Sequence, residues 1–148
     1  MFAANAKAWW GKQIRAGDTV RWPYLSVPTA PIDERDVAAV AVRALCDEAH
    51  ARAEYVLTGP QSLSQSEQLS TIGRAIGRSL GIEEITPDQA RYELLRIMPP
   101  PVINMLLDAW AAASGQPALV ASTVEEITGA PARTFLEWAT DQAPEFRG

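Results

Sequence analysis

Aromatic side chains gather near the start of this sequence, and their chemistry could recognise a small organic molecule. Residues of this kind most often pack in a core. The alternative is that several of them line a pocket, because apolar and aromatic walls with few polar groups are typical of small-molecule sites. The residues concerned are Phe2, Trp9, Trp10, Trp22 and Tyr24 near the start, together with Trp110 on the most apolar predicted helix.

The sequence contains no arrangement typical of nucleophilic or acid–base catalysis. Its one histidine, His50, lies in a polar connection, where a solvated histidine is the usual case. No G-x-S-x-G motif is present to supply an activated serine. Asp33 and Asp36 flank a predicted helix start, where carboxylates cap the backbone and complement the helix dipole. We therefore assign no catalytic residue from the sequence.

No motif for binding a dinucleotide is present either. A phosphate cradle requires glycines in a turn between a strand and a helix. Gly73, Gly77 and Gly81 are instead spaced by four, within or just after a predicted helix. The tyrosine–lysine pair of reductases is also absent, because no tyrosine is followed by a lysine four residues later. The chain alone is expected to bind neither NADPH nor NADH, so no cofactor-binding residue is assigned.

The composition is that of a soluble globular protein and excludes several functions. The chain has 148 residues, 47% of them hydrophobic, and a net charge of −5, and its length predicts one domain. Its arginines form no basic stripe, so nucleic-acid binding is not expected. No stretch is long and apolar enough for a membrane span, and the start resembles no signal peptide, so the expected location is cytoplasmic. The single cysteine, Cys46, excludes a cysteine metal cluster and is expected to be a buried thiol.

Helix caps and apolar spacing predict an α+β chain that is mainly helical. Three capping boxes mark helix starts, at 64–67, 86–89 and 123–126. Short strands are predicted at 18–22, 53–60 and 82–86. Together the patterns predict about six helices and three or four short strands in a single domain, 1–148.

Four segments resemble, in the same order, the C-terminal half of NmrA-like proteins, which are atypical short-chain dehydrogenase/reductases. They are FAANAKAWWGKQIRAGDTVRWPY (2–24), APIDERDVAAVAVRAL (30–45), EYVLTGPQSLSQSEQLSTIGRAIG (54–77) and TVEEITGAPARTFLEWATDQAPEF (123–146). The resemblance implies a truncated Rossmann-type fold, namely the substrate-side half of a two-part reductase without the half that binds the dinucleotide. The cofactor in that family is NADP or NAD.

The resemblance also implies where a substrate would bind. In the family, the segment that matches 1–10 borders the substrate end of the cleft, and the helix that matches 102–114 covers it. This implies an apolar pocket for a flat or polycyclic molecule rather than a sugar or phosphate ester. The Asn5 amide could orient a carbonyl or hydroxyl group there. The implied pocket residues are Phe2, Asn5, Trp9, Trp10, Trp22, Met105, Leu106 and Trp110.

Three functions remain open on these grounds. The first is a small-molecule-binding protein, or a non-redox enzyme, that uses the aromatic pocket for a small apolar or aromatic molecule. The second is half of an NAD(P)-dependent oxidoreductase that needs a separate dinucleotide-binding part, and the third is an NmrA-like regulatory interaction module. A truncated reading frame is a further explanation. Because a strand at 53–60 would lack its neighbour in a larger sheet, we expect a homodimer or a partner that supplies that sheet.

Overall fold

The computed structural model describes residues 1–147, and in that range the chain is mainly helical, as the sequence predicts. Eight α-helices form where about six were expected, together with four short strands and one 3-10 turn, Glu48–His50. The helices are α1 (Asn5–Ala16), α2 (Glu34–Cys46), α3 (Gln65–Ile76), α4 (Pro87–Leu94), α5 (Pro100–Ala113), α6 (Thr123–Thr128), α7 (Phe135–Asp141) and α8 (Ala143–Phe146). The strands are β1 (Thr19–Trp22), β2 (Pro28–Thr29), β3 (Leu63–Ser64) and β4 (Gly81–Glu84).

Two of the three predicted capping boxes are confirmed. At the start of α3, the Glu67 N–H donates to Ser64 Oγ at 3.2 Å, and the Ser64 N–H donates to the Glu67 carboxylate at 2.7 Å. Hydrogen bonds from Ser64 to the ionised carboxylate hold the pKa of Glu67 below its usual value. The same exchange of bonds joins Thr86 and Gln89 at the start of α4. These caps satisfy backbone groups that a helix end leaves unpaired.

The third predicted box, at 123–126, is wrong. There the N-cap of α6 is Ser122, which makes no side-chain cap bond. The third box lies instead at the start of α7, where the Glu137 N–H donates to Thr134 Oγ1 at 3.2 Å and the Thr134 N–H donates back at 2.8 Å. The predicted end of α6 at Gly129 is confirmed, because this glycine adopts the left-handed φ of 76°.

The strands form two small sheets rather than one large one. β1 and β4 are parallel, with a register that runs from Thr19 opposite Gly81 to Trp22 opposite Glu84. β2 and β3 form an antiparallel pair. Each sheet has two strands, so the packing of helices, rather than a sheet, supplies most of the core.

The predicted strand at 53–60 does not form. From 54 to 58, no main-chain group bonds to another main-chain group of residues 1–147. The flanking bonds run from the Ala53 N–H to His50 O at 3.1 Å and from the Gly59 N–H to Ala30 O at 3.2 Å. The side chains of Tyr55 and Val56 are exposed. Aromatic and β-branched residues favour a strand only where a neighbouring strand pairs with it, and the described chain provides none here.

The interior of the protein is built on tryptophan. Trp10, Trp22 and Trp138 are the largest fully buried side chains, and α1, α3, α7 and α8 pack around them. Trp22 Nε1 donates to Gln65 Oε1 at 2.6 Å, and the Gln65 amide donates to Tyr24 O at 3.1 Å. The buried Gln65 side chain therefore ties β1 and the loop after it to the start of α3.

A group of charged side chains joins the start of α2 to the start of α7. Asp33, the N-cap of α2, is 3% exposed and accepts from Arg133 Nε at 2.7 Å. Asp36 accepts from the Arg133 backbone N–H at 2.8 Å. Burial raises the pKa of Asp36, while the hydrogen bond from Arg133 opposes that rise and the charge of Asp33 adds to it.

We expect Asp36→Asn to raise the melting temperature at neutral pH. Because the pKa of Asp36 is higher in the folded than in the unfolded chain, its contribution to stability is largest at pH values below its ordinary pKa. That contribution is lost as the pH rises through the folded pKa. Asparagine keeps an acceptor for the Arg133 N–H without the charge. Thermal unfolding across the acid-to-neutral range should show the gain disappear in acid, and exposed Asp108→Asn is the matched control.

Candidate functional site

A cavity of about 510 Å³ lies between α1, β1 and α4. Such a volume is within the range of small-molecule sites, roughly 300–1,000 Å³. Two of the predicted pocket residues, Trp9 and Trp22, line it. The side chains that matter for its chemistry are Trp9, Lys12, Gln13, Arg21, Trp22, Ile85, Tyr92, Glu93, Leu94, Arg96 and Ile97.

Residues on one face of α1 and the adjacent strand β1 form one wall. Trp9, Lys12 and Gln13 are spaced three and four apart, so they share a face of the helix. The Arg21 backbone N–H donates to Gln13 Oε1 at 2.9 Å, and Gln13 Nε2 donates to Arg21 O at 3.3 Å. These two hydrogen bonds join the Gln13 side chain to the Arg21 main chain, and they hold β1 against α1.

Arg21 spans the cavity wall from β1 to α4. Its Nη1 lies 2.6 Å from a Glu93 carboxylate oxygen, and its Nε lies 3.3 Å from Glu83 on β4. Lys12 and Arg96, by contrast, have no ion pair within residues 1–147. The cavity lining therefore carries three cationic groups and one carboxylate, and that carboxylate is already bound to Arg21.

The four tryptophans of the predicted pocket form one cluster. Their ring centroids are 5.6–6.1 Å apart, with Trp9 and Trp22 stacked and with Trp110 edge-on to both. Trp10 is completely buried and Trp110 is 4% exposed, and neither lines the cavity. The cluster therefore forms the core against which the cavity is built, and it meets the cavity through Trp9 and Trp22.

The other predicted pocket residues lie elsewhere. Phe2 is 52% exposed and pairs through its backbone with Ile32, and Met105 is 61% exposed on α5. Asn5 begins α1, and Leu106 packs against the core. None of these four lines the cavity, and their part in substrate binding stays a prediction.

Sequence reasoning missed the charged half of the cavity. Lys12 could have been found, because it lies one helical turn from Trp9. Tyr92, Glu93 and Arg96 could not, since their approach to α1 and β1 depends on tertiary packing, as in the Arg21–Glu93 pair 72 residues apart.

Reactive side chains outside the cavity give no catalytic arrangement. His50 is partly exposed, in keeping with the predicted solvated histidine, and its Nδ1 lies 2.6 Å from the Tyr55 hydroxyl. Cys46 is exposed, which corrects the prediction of a buried thiol. The reason is that only Asp36 and Val40 of α2 are buried. Across residues 1–147, no group of histidine, cysteine or acidic side chains is placed to hold a metal ion.

Comparison with known proteins finds relatives that are named as reductases. No family model matches the chain. It is 41% identical over 146 residues to the (4-alkanoyl-5-oxo-2,5-dihydrofuran-3-yl)methyl phosphate reductase of Streptomyces griseus, an alignment that covers 98% of the chain and 51% of that protein. It is 39% identical over 117 residues to the NAD(P)H azoreductase of Xenophilus azovorans, which covers 78% of the chain and 41% of that protein.

The fold matches a solved reductase. The NADPH-dependent quinone oxidoreductase of Escherichia coli superposes with a TM-score of 0.75 at 18% identity, over 95% of this chain and 52% of that one. The chain thus spans about half the length of the curated relatives it matches. No helix in the described part of the chain has the length and apolar character to cross a membrane. Together, the motifs, the relatives and the fold show that this chain belongs to the NmrA-like proteins, the atypical short-chain dehydrogenase/reductases, with an extent consistent with the C-terminal half of such a protein.

Proposed function

We propose that this chain is the substrate-side half of an NAD(P)-dependent reductase, completed by a dinucleotide-binding part of the same or of another polypeptide. The relatives are named as reductases. The Streptomyces griseus protein is named for a dihydrofuranyl-methyl phosphate substrate, and the Xenophilus azovorans protein is named as an NAD(P)H azoreductase. In the proposed division of labour, the dinucleotide-binding part supplies the hydride, and this chain holds the organic acceptor in the cavity at Trp9 and Trp22.

The unpaired segment 54–58 is the observation that carries this proposal. Leu57 packs against the small apolar cluster of Ile32, Val40 and Val124. Neighbouring Val56 is 60% exposed, so its apolar side chain has no cover within the described chain. The main-chain groups from 54 to 58 make no bond to other main-chain groups of residues 1–147, so they are available to pair with a strand.

Helix α2 adds apolar surface near this segment in the chain. Val42 is 60% exposed and Leu45 is 87% exposed. These two side chains lie on the face of α2 opposite Val40, which packs with Leu57, so they form a separate exposed apolar area. We define the docking surface as segment 54–58, whose main chain carries the unpaired groups.

The experiment adds the missing part. The chain is mixed with, or fused to, the half of the Streptomyces griseus reductase that it does not match, and NADPH oxidation is followed with an azo dye as acceptor. We expect activity that neither part shows alone. Val56→Asp should lower it by about tenfold at limiting concentration, because a charge would be buried in the joint at a cost of more than about 1.4 kcal/mol.

Leu136→Asp is the matched control, since Leu136 is 41% exposed on α7, outside both the docking surface and the cavity lining. Activity equal in the two variants would contradict the docking surface, and no activity with any acceptor would contradict the proposal itself. Self-association is the competing use of this surface. Sedimentation of the chain alone at roughly tens of micromolar would show a dimer that Val56→Asp disrupts.

A small-molecule-binding protein without redox activity is the second candidate. The cavity favours it, because the cavity is formed within this chain and needs no second part. Ligand binding by the chain alone, together with no NADPH oxidation after the missing part is added, would select this function.

A further inference from the structure

We propose that the cavity between α1, β1 and α4 binds an organic anion with a flat apolar body. This inference rests on the proposed function, because it names the chemical class of the substrate that the same cavity would hold. It adds a negative charge to the flat apolar molecule that the sequence predicts.

The walls of the cavity provide the apolar contacts. The stacked pair Trp9 and Trp22 forms part of the lining, together with Ile85 and Leu94. At the rim, Tyr92 and Ile97 are 71% and 45% exposed. Large apolar side chains left exposed at a concave surface gain burial when a flat ligand covers them.

The charges of the lining select an anion. Lys12 on α1 and Arg96 after α4 approach the cavity from two elements, and neither has a carboxylate partner within residues 1–147. The whole chain has a net charge of −5 and two lysines, so a cationic cavity is no by-product of a basic protein. Two unpaired cations at one cavity repel each other, and an anion between them is attracted by both.

The other charged and amide groups of the lining already have partners, so the lining offers no unpaired carboxylate to a cationic ligand. Glu93, the one carboxylate of the lining, is bound to Arg21 at 2.6 Å. The Gln13 amide is taken up by the main chain of Arg21. Four polar side-chain groups of the lining are left without a partner in the described chain: those of Lys12 and Arg96, the Tyr92 hydroxyl and the Trp9 indole N–H. All four can donate a hydrogen bond, and two of them are cations.

The test compares two ligands of the same shape. Binding of 2-naphthoate and of the neutral 2-naphthamide to the chain alone is measured by calorimetry and by NMR, with the indole N–H signals of the tryptophans as reporters. We expect the anion to bind about tenfold more tightly, since each of two partly exposed ion pairs is worth up to about a factor of a few. The signals of Trp9 and Trp22 should shift, whereas that of Trp138 should not.

Charge removal completes the test. The double variant Lys12→Gln/Arg96→Gln should bind naphthoate about tenfold more weakly, as weakly as naphthamide, and Arg43→Gln should change nothing. Arg43 is the matched control because it is exposed on α2, without an ion pair in the described residues. Equal binding of the two ligands, no binding of either, or an unchanged double variant would overturn the anion site. Because these measurements need no dinucleotide, they can fail while NADPH oxidation after addition of the missing part succeeds.

Discussion

Replacing Trp22 with alanine is expected to lower the free energy of unfolding by about 3–5 kcal/mol. Trp22 is 1% exposed, and its ring packs against those of Trp9, Trp10 and Trp110. Truncation therefore removes the contacts of a large ring and leaves a cavity. A loss of this size is a large part of the roughly 5–15 kcal/mol that holds a domain of this kind folded. Urea unfolding followed by far-UV circular dichroism measures it.

A pair of milder variants separates packing from hydrogen bonding at the same cluster. Trp22→Phe also removes the donor to Gln65 Oε1, whereas the Trp10 indole N–H has no partner among the described residues to lose. The two substitutions delete similar ring volume from fully buried sites. We expect Trp22→Phe to cost about 1–3 kcal/mol more than Trp10→Phe, because the buried Gln65 Oε1 is left without a donor. Equal costs would show that this bond adds nothing.

Gly59→Ala is the second substitution with a large expected effect, a loss of about 3 kcal/mol or more. A Cβ at position 59 would lie 2.0 Å from Pro31 O and 2.8 Å from the carbonyl carbon. These are backbone atoms that cannot rotate away, so the chain must separate at this point. The bond from the Gly59 N–H to Ala30 O would then be lost as well.

Gly17→Ala is the matched control for this steric argument. No atom lies within 4 Å of a Cβ built on Gly17, and its φ of −178° is open to any residue. We expect a change within about 0.5 kcal/mol. If Gly59→Ala were equally mild in urea unfolding, the close approach of segments 30–32 and 54–59 would be wrong. Because Gly59 anchors the docking surface, its variant should also weaken assembly with the dinucleotide-binding part.

The sequence predicts well those features that depend on neighbouring residues, and poorly those that depend on residues far apart in the chain. The boxes at Ser64–Glu67 and Thr86–Gln89 were predictable, because a cap needs only side chains three residues apart. The strand at 53–60 has the composition of a strand but no partner in the described residues. Strand formation is a property of a pair, and sequence composition reports on only one member of it.

The cavity likewise combines residues that the sequence predicted with residues that only the tertiary structure reveals. The aromatic sequence near the start predicted a site at Trp9 and Trp22, and both residues line the cavity. The prediction also included Trp10 and Trp110, which lie in the core, since helical spacing cannot tell which large ring is fully buried. The charged wall came from α4, and no local pattern links that helix to Lys12.

By itself, the sequence determined the family resemblance, the mainly helical α+β class and most of the helix starts, because these depend on motifs and on neighbours along the chain. Only the tertiary structure decided which tryptophans are core, that 54–58 stays unpaired, and that Lys12, Arg21 and Arg96 meet at one cavity. The physical reason is that burial, strand pairing and the field of a charge are set by groups distant in sequence, which folding alone brings together.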